Sequence, residues 1–233
     1  MKVYGLQKLT LLDYPEKVAC TVFTGGCNLR CPFCHNASLV TRAEDAVEFS
    51  ADELFSYLKK RRGLLDGVCV TGGEPLLQSD LPDFLGRLRA LGYCIKLDTN
   101  GCFPDRLKNI VRLGLTDYVA MDVKSSPEHY AEAVGISGFS GSAVRQSMDF
   151  LLEGRVDYEF RTTVVKGLHS AEILRETAES IRGAKRYFLQ KFVDSGDLVS
   201  GGGLSAFSDE EMQKFLEVVS PYVKSAALRG VSI

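Results

Sequence analysis

The sequence predicts an α/β fold with a parallel sheet, and two patterns carry this prediction. Short apolar runs rich in valine, isoleucine, phenylalanine and tyrosine alternate with amphipathic stretches, and polar or glycine-rich segments follow most of the apolar runs. The 233 residues, 45% hydrophobic and 25% charged, suit one large domain. About six β-α units would form a doubly wound open sheet or a curved partial barrel, and both bind ligands at the carboxyl ends of the strands.

The apolar runs are predicted strands because they are short and rich in β-branched and aromatic residues, as expected for strands buried on both faces. They span residues 18–23, 67–71, 93–98, 117–123, 158–165 and 187–192. The amphipathic stretches are predicted helices and span residues 50–62, 80–91, 104–113, 141–153, 170–182 and 208–219. Two of the helices open with a capping box, Ser50 with Glu53 and Ser208 with Glu211, and another carries Pro82 in its first turn.

Charge and hydropathy exclude several classes of protein. The formal net charge is -2, so no basic excess points to a nucleic-acid or membrane partner. The first 15 residues lack a continuous apolar core and a small-residue cleavage site, and no apolar run approaches the roughly 18 residues of a membrane helix. We therefore expect a cytoplasmic protein.

Three of the seven cysteines, Cys27, Cys31 and Cys34, crowd into one segment, residues 24–36 (TGGCNLRCPFCHN). Cytosolic thiols stay reduced, so clustered cysteines indicate metal binding or redox chemistry rather than disulfides. Three interpretations compete: structural zinc with His35 as fourth ligand, a c-type haem at the C-x-x-C-H sequence, and a [4Fe–4S] cluster.

The residues favour an open iron–sulfur cluster over structural zinc, by about two to one. Cys34 and His35 are adjacent and would struggle to bind one tetrahedral zinc ion. Haem attachment normally follows export and would leave Cys27 without a role. A [4Fe–4S] cluster ordinarily takes four cysteines, so three local thiolates would leave one iron open to a small molecule.

The polar segments after the predicted strands have both a ligand-binding and a structural interpretation. Gly72 and Gly73 let backbone approach a ligand closely, or form a tight turn. Glu74 is a hydrogen-bond acceptor for a ligand, or a surface carboxylate. Asn100 either contacts a ligand or satisfies a turn. Phe33 packs against a ligand, or is a core phenylalanine.

Charged residues at the predicted strand ends have the same two interpretations. Asp98 and Asp122 follow neighbouring strands, with Lys124 two residues beyond Asp122. They form a ligand site, or only an ion pair at the strand ends. Arg161 lies inside a predicted strand and needs a partner, either a ligand or a strand-end aspartate. Gln190 ends the sixth strand.

These motifs together resemble the radical S-adenosylmethionine (SAM) superfamily. The C-x3-C-x2-C spacing with Phe33 before the last cysteine and residues 72–75 (GGEP) match two superfamily motifs, while residues 98–101 (DTNG) and 122–124 (DVK) resemble the subgroup that activates glycyl radical enzymes. Segments 7–15 and 34–36 are most similar to activating proteins of anaerobic ribonucleoside-triphosphate reductase. The resemblance implies a single domain, 1–233, with a partial (β/α)6 barrel and a cluster loop at 24–36.

The resemblance also implies the chemistry. Cys27, Cys31 and Cys34 would hold one [4Fe–4S] cluster, and SAM would chelate its open iron. Reductive cleavage of SAM would give a 5′-deoxyadenosyl radical that installs a glycyl radical on a partner enzyme. A flavodoxin or ferredoxin would supply the electron, and a monovalent cation would lie near Asp98 and Asp122. The implied SAM-binding residues are Phe33, His35, Gly72, Gly73, Glu74, Asp98, Thr99, Asn100, Asp122, Lys124, Arg161 and Gln190.

The chain departs from the family pattern at three places. Glu16 stands where the N-terminal motif commonly has glycine. Only Cys69 lies between the cysteine motif and residues 72–75, which predicts a single cluster. Residues 192–194 (FVD) stand where some relatives place a ligand-binding histidine.

The remaining cysteines and histidines have no predicted function. We interpret Cys20, Cys69 and Cys94 as small core residues. Cys102 is expected to be structural, and the two histidines outside the motifs, at positions 129 and 169, are left without a role. Residues 195–205 are expected to form a solvated loop, with a lid as the alternative.

Two other functions remain open from the sequence. One is a radical SAM enzyme that acts on a small molecule, in the manner of 7-carboxy-7-deazaguanine synthase. The other is a non-catalytic iron–sulfur or zinc module.

Overall fold

The computed structural model describes residues 1–41, 48–200 and 202–231. Its strands are β1 Val3–Thr10, β2 Ala19–Thr24, β3 Gly67–Gly72, β4 Cys94–Thr99, β5 Tyr118–Asp122, β6 Asp157–Val164, β7 Tyr187–Lys191 and β8 Ala226–Arg229. Its α-helices are α1 Ala37–Thr41, α2 Ala51–Lys60, α3 Leu81–Ala90, α4 Pro104–Arg112, α5 Tyr130–Val134, α6 Ser142–Leu152, α7 Ala171–Ser180 and α8 Asp209–Val219. The predicted α/β class is confirmed.

The chain divides into two compact units. The first unit comprises residues 1–28, 38–99 and 105–120, and the second comprises residues 29–37, 100–104 and 121 onwards. In the first unit, β1 pairs antiparallel with β2, and β2, β3 and β4 run parallel to one another. The Asp117 N–H donates to the carbonyl oxygen of Ile95 at 2.8 Å, so β5 begins alongside β4.

The second unit continues the parallel pattern from the end of β5. The Val123 N–H donates to the Arg161 carbonyl oxygen at 2.8 Å, which joins the end of β5 to β6. Strands β6, β7 and β8 pair in parallel. In both units the strands therefore follow chain order, as expected when a helix connects each strand to its parallel neighbour.

The six predicted strands all form, because their apolar residues are buried on both faces. In β3 and β4, for example, Val68, Val70, Ile95 and Leu97 are fully buried. Two helices begin where the sequence signals predict. The Ser208 capping box of α8 is present, and Pro82 lies in the first turn of α3.

The structure differs from the sequence prediction at Ser50, at two strands and at the two short helices α1 and α5, which were not predicted. The predicted capping box pairs Ser50 with Glu53. In the structure the Ser50 side chain instead accepts from the Asp52 N–H, so Ser50 caps α2 through a different bond. Strand β1 was not predicted because Gly5, Gln7 and Lys8 interrupt its apolar residues. Strand β8 was not predicted because it has only four residues. None of the helices in the described residues is long and apolar enough to cross a membrane.

Candidate functional site

The cysteine segment, residues 24–36, is closed by one backbone hydrogen bond near its two ends. The Gly26 N–H donates to the Leu39 carbonyl oxygen at 2.8 Å, which brings together the end of β2 and the start of α1. The bond closes a loop of more than ten residues at its base, so the residues between are held at both ends.

The glycine pair at the end of β3, Gly72 and Gly73, clamps the start of this segment together with Glu74. The Gly73 N–H donates to the Thr24 carbonyl oxygen, and the Glu74 N–H to the Gly26 carbonyl oxygen, both at 2.8 Å. A Cβ atom on Gly72 would lie 2.3 Å from the Thr24 carbonyl oxygen, and one on Gly73 would lie 2.0 Å from the Gly26 carbonyl oxygen. Glycine is therefore required here by close approach to the chain's own backbone, in addition to any ligand.

Glu74 is buried and fixed by two hydrogen bonds. Its Oε1 accepts from the Leu76 N–H at 3.0 Å and from the Thr99 hydroxyl at 2.8 Å. The first bond caps the short 3₁₀ turn Pro75–Leu77. The second ties the end of β3 to the end of β4, so the surface-carboxylate interpretation of Glu74 is wrong.

Asp98, at the end of β4, has a lysine and a thiol as neighbours. The Lys96 ammonium donates to Asp98 Oδ1, and the Cys69 thiol lies 3.8 Å from the same oxygen. Lys96 has 2% of its side chain exposed and Asp98 14%. Lys96 has no predicted role from the sequence, because a single lysine in a strand pattern is ordinarily solvent-exposed.

In the second unit, the middle of the cysteine segment is held by contacts of its own. The Cys34 N–H donates to the Cys31 carbonyl oxygen at 3.0 Å, which forms a turn between the two cysteines. The Arg30 N–H donates to the Val134 carbonyl oxygen at 3.0 Å. Gly135, the left-handed C-cap of α5, packs so closely that a Cβ atom there would lie 2.3 Å from the Arg30 carbonyl oxygen.

Asp122 bridges two cations at the end of β5. Lys124 Nζ donates to Asp122 Oδ2 at 3.0 Å, and Arg161 Nε donates to Asp122 Oδ1 at 2.9 Å. Burial alone would raise the pKa of Asp122, but Arg161 and Lys124 outweigh burial and hold that pKa well below its usual range. The Asp122 trio (Asp122, Lys124 and Arg161) thus carries two positive charges and one negative charge.

Lys124 is electrostatically coupled to the cysteines. Burial lowers the pKa of Lys124, but the Asp122 carboxylate raises it, and thiolates at Cys31 and Cys34 raise it further, so the net pKa lies above its usual value. Lys124 Nζ also lies 5.9 Å from the centre of the Phe33 ring. The geometry therefore brings Phe33, Lys124 and two cysteine thiols within electrostatic range of one another.

His169 is buried, although the sequence predicts no role for it. Its Nδ1 accepts from the Val165 N–H at 3.1 Å, so Nε2 carries the proton and donates to the Lys124 carbonyl oxygen at 2.9 Å. Its ring meets Phe33 edge-on, with the ring centres 6.5 Å apart. His169 therefore positions the backbone of Lys124, a role that no local sequence motif signals.

Three further predicted site residues are Asn100, His35 and Gln190. The Asn100 side chain is buried and accepts from the Cys102 N–H at 2.9 Å, so it stabilises the turn after β4. His35 is exposed, and Gln190 is half-buried.

The predicted loop at 195–205 contacts the cysteine segment. The Ser200 N–H donates to the Pro32 carbonyl oxygen at 3.1 Å, and Leu198 is buried. Residue 201 lies outside the described residues. The contact joins this loop to the residue between Cys31 and Phe33, which a fully solvated loop would not do.

The family model of the radical SAM superfamily matches residues 21–181, which is more than half of the chain. The chain belongs to the radical SAM superfamily. The matched residues include the cysteine segment, the Gly72–Gly73 clamp and the Asp122 trio. Superfamily membership makes the protein a radical SAM enzyme and implies a [4Fe–4S] cluster and SAM as its cofactors.

Three curated relatives are similar to different lengths of this radical SAM enzyme. A Methanocaldococcus jannaschii protein, provisionally named a glycyl-radical enzyme activating enzyme, is 27% identical over 99% of this chain and 96% of its own length. The pyruvate formate-lyase-activating enzyme of Listeria monocytogenes is 34% identical over 55% of this chain and 56% of its own length. A 7-carboxy-7-deazaguanine synthase of Halobacterium salinarum is 45% identical, but over only 34% of this chain and 30% of its own length.

A solved structure supports the fold of this radical SAM enzyme. SuiB of Streptococcus suis superposes with a TM-score of 0.68 at 15% identity, covering 90% of this chain and 48% of SuiB. At this identity the likeness concerns the fold alone.

The residues of this radical SAM enzyme fit the implied cofactors in chemistry. The Cys31–Cys34 turn presents two thiols on a segment anchored at both ends, and Lys124 supplies a positive charge that stabilises thiolates. In residues 1–41, 48–200 and 202–231, no group of three His, Cys, Asp or Glu side chains is arranged as a metal site. The ligand set of Cys27, Cys31 and Cys34 therefore rests on the motif.

Proposed function

We propose that the protein is an activating enzyme that installs a glycyl radical on a partner enzyme. The observation that carries the proposal is the clamp between residues 73–74 and residues 24–26, since it holds the start of the cysteine segment through backbone contacts that only glycine permits. Similarity to the Methanocaldococcus jannaschii protein over nearly the full length of both chains supports this choice within the superfamily.

Cys27, Cys31 and Cys34 are the proposed ligands of one [4Fe–4S] cluster. Three thiolates would leave one iron open to the amino and carboxylate groups of SAM. When bound, the cluster and SAM would supply reductive cleavage of SAM and a radical able to remove a hydrogen atom from glycine. The protein's own task is to bind, orient and exclude water.

The Asp122 trio is the proposed binding site for the SAM carboxylate. Its net charge is positive, and its cations are largely buried, with 15% of the Lys124 side chain and 13% of the Arg161 side chain exposed. A carboxylate docked there would meet charge-assisted hydrogen bonds in a medium that screens them weakly. Asp122 would hold both cations in place before the ligand arrives.

Glu74 is the proposed partner of the SAM ammonium group. Its carboxylate is fixed by the Leu76 N–H and the Thr99 hydroxyl, so its negative charge is preorganised at the end of β3. Phe33 and the backbone at residues 34–36 are the proposed contacts of the adenine, and Asn100 of the ribose. Gln190 is a further proposed contact.

The partner is proposed to be anaerobic ribonucleoside-triphosphate reductase. Residues 7–15 and 34–36 support this choice, because they are most similar to the activating proteins of that reductase. A cytoplasmic location and a low-potential donor, flavodoxin or ferredoxin, belong to the same proposal.

Anaerobic assays on the reconstituted protein test each level of this proposal. Dithionite-reduced protein is expected to cleave SAM to methionine and 5′-deoxyadenosine, measured by chromatography. Adding anaerobic reductase is expected to give a glycyl radical signal in electron paramagnetic resonance. Cys31→Ala should abolish both, whereas Cys94→Ala, at a half-buried strand position, should keep both.

The outcomes separate the competing functions. SAM cleavage that turns over a small substrate such as a deazapurine precursor, with no radical on any glycyl enzyme, would favour the synthase alternative. Iron binding with no SAM cleavage would favour a structural iron–sulfur module. A radical on pyruvate formate-lyase alone would keep the activating function and overturn the choice of partner.

A further inference from the structure

Lys96 places a positive charge inside the first unit. Its side chain is 2% exposed, yet an ammonium group is among the costliest groups to bury without a counter-charge. The Asp98 carboxylate provides that counter-charge through an ion pair at Oδ1. The Lys96 ammonium therefore neutralises the negative charge of the Asp98 carboxylate.

The pairing follows from strand geometry. Lys96 and Asp98 are two residues apart in β4, so their side chains project from the same face of the sheet. Lys96 is in register with Cys69 of β3, and Cys69 is in register with Thr21 of β2. The Cys69 thiol lies 3.7 Å from Lys96 Nζ and 3.8 Å from Asp98 Oδ1, so it packs against both partners.

We propose that the Lys96 ammonium takes the place of an inorganic monovalent cation at Asp98. The family resemblance implies such a cation beside this carboxylate, but the residues present do not fit one. Asp98 Oδ1 already accepts from the compact Lys96 ammonium group, which neutralises the carboxylate charge that would otherwise attract a dissolved cation in a weakly screened interior.

Lys96 is thus a positioning residue that acts through Asp98, and it makes the site independent of dissolved potassium or sodium. The effect of Lys96 on SAM cleavage rests on the proposed function. The structural content of the inference, an internal cation at Asp98, stands on the ion pair alone.

The experiment compares monovalent cations in the reconstituted protein. Lys96→Met keeps an unbranched apolar side chain that is one atom shorter, and it removes the charge. Melting temperature and SAM cleavage are measured in potassium, ammonium or tetramethylammonium chloride at the same ionic strength, about 0.1 M. Tetramethylammonium is too large to enter a site made for an ammonium group.

The wild type is expected to melt at the same temperature in all three salts. Lys96→Met should lower the melting temperature by roughly 6 to 20 °C in tetramethylammonium, and potassium or ammonium should restore a measurable part of the loss. Lys96→Met combined with Asp98→Asn should lose this cation response. Lys185→Met, in the exposed pair with Asp157, should show none.

Two results would overturn the inference. One is a wild-type melting temperature that rises in potassium relative to tetramethylammonium, because an inorganic cation would then bind beside Lys96. The other is a Lys96→Met variant with no specific response to potassium or ammonium, which would make Lys96 a packing residue. Melting decides both outcomes without SAM cleavage, so failure of the proposed function leaves the test intact.

Discussion

Gly73 approaches Gly26 so closely that a Cβ atom on Gly73 would lie 2.0 Å from the Gly26 carbonyl oxygen. The contact joins the loop after β3 to the segment that leads into Cys27. Because the atoms nearest to that position are all backbone atoms of Gly26, a methyl group cannot be accommodated by a side-chain rotation. The Gly-Gly pair therefore acts as a spacer that sets where the cysteine segment begins.

Gly73→Ala is expected to displace the start of the cysteine segment. The reconstituted variant should bind less iron and lose most SAM cleavage, because the added methyl group forces Gly26 to move. The measurement is iron content per protein chain, with SAM cleavage as a second readout.

Gly86→Ala is the matched control for that variant. A Cβ atom on Gly86, within α3, meets nothing within 4 Å, so alanine should be tolerated or slightly stabilising. Equal iron content in the two variants would show that the clamp does not position the cysteines.

Asp122→Asn should destabilise the fold by about 3 kcal/mol, since it leaves two largely buried cations facing each other without a carboxylate. Asp149→Asn breaks the exposed pair with Arg145 and should cost less than about 0.5 kcal/mol. Urea unfolding monitored by circular dichroism measures both values. Similar losses in the two variants would contradict the bridging role of Asp122.

His169 is expected to make stability depend on pH. Burial lowers the pKa of His169, so the folded protein holds the neutral imidazole to a lower pH than the unfolded chain does. Its contribution is complete above the unfolded pKa of about 6.5 and is lost as pH falls from there through the lowered folded value. Urea unfolding at several pH values should therefore show wild-type stability falling below about pH 6.5.

His169→Phe isolates that contribution. The variant keeps an aromatic ring beside Phe33 but loses the bonds to Val165 and Lys124. It should be less stable than the wild type at pH 8, and the difference should shrink on acidification. A constant difference across this range would mean that His169 does not titrate as inferred.

Cys20 is expected to resist alkylation in the folded protein. Burial raises the pKa of its thiol to about 12, so at pH 8 only about one molecule in 10⁴ carries the reactive thiolate. Iodoacetamide labelling read by mass spectrometry should modify Cys94, which is half-buried, well before Cys20. Both should react equally in urea, and fast labelling of Cys20 without urea would contradict its burial.

Most helices and strands could be predicted from the sequence, and β3 and α8 illustrate why. The run that became β3 is short and mostly apolar, and Ser208 with Glu211 marks the start of α8 through a local capping pattern. Strand β1 could not be found in this way, since Gly5, Gln7 and Lys8 interrupt its apolar residues and it is placed by its pairing with β2. The cysteine motif and residues 72–75 identified the superfamily because their spacing is itself the signal.

The amino-acid sequence alone determined the fold class and the superfamily, because periodicity, caps and motif spacing are local properties of the chain. Only the tertiary structure decided that Gly73 packs on Gly26, that Lys96 neutralises Asp98 and that His169 holds the backbone of Lys124. Each of these is a side-chain or backbone contact set by strand register, side-chain direction or loop packing. Such contacts leave no trace in local spacing, since they depend on which elements the whole chain brings together.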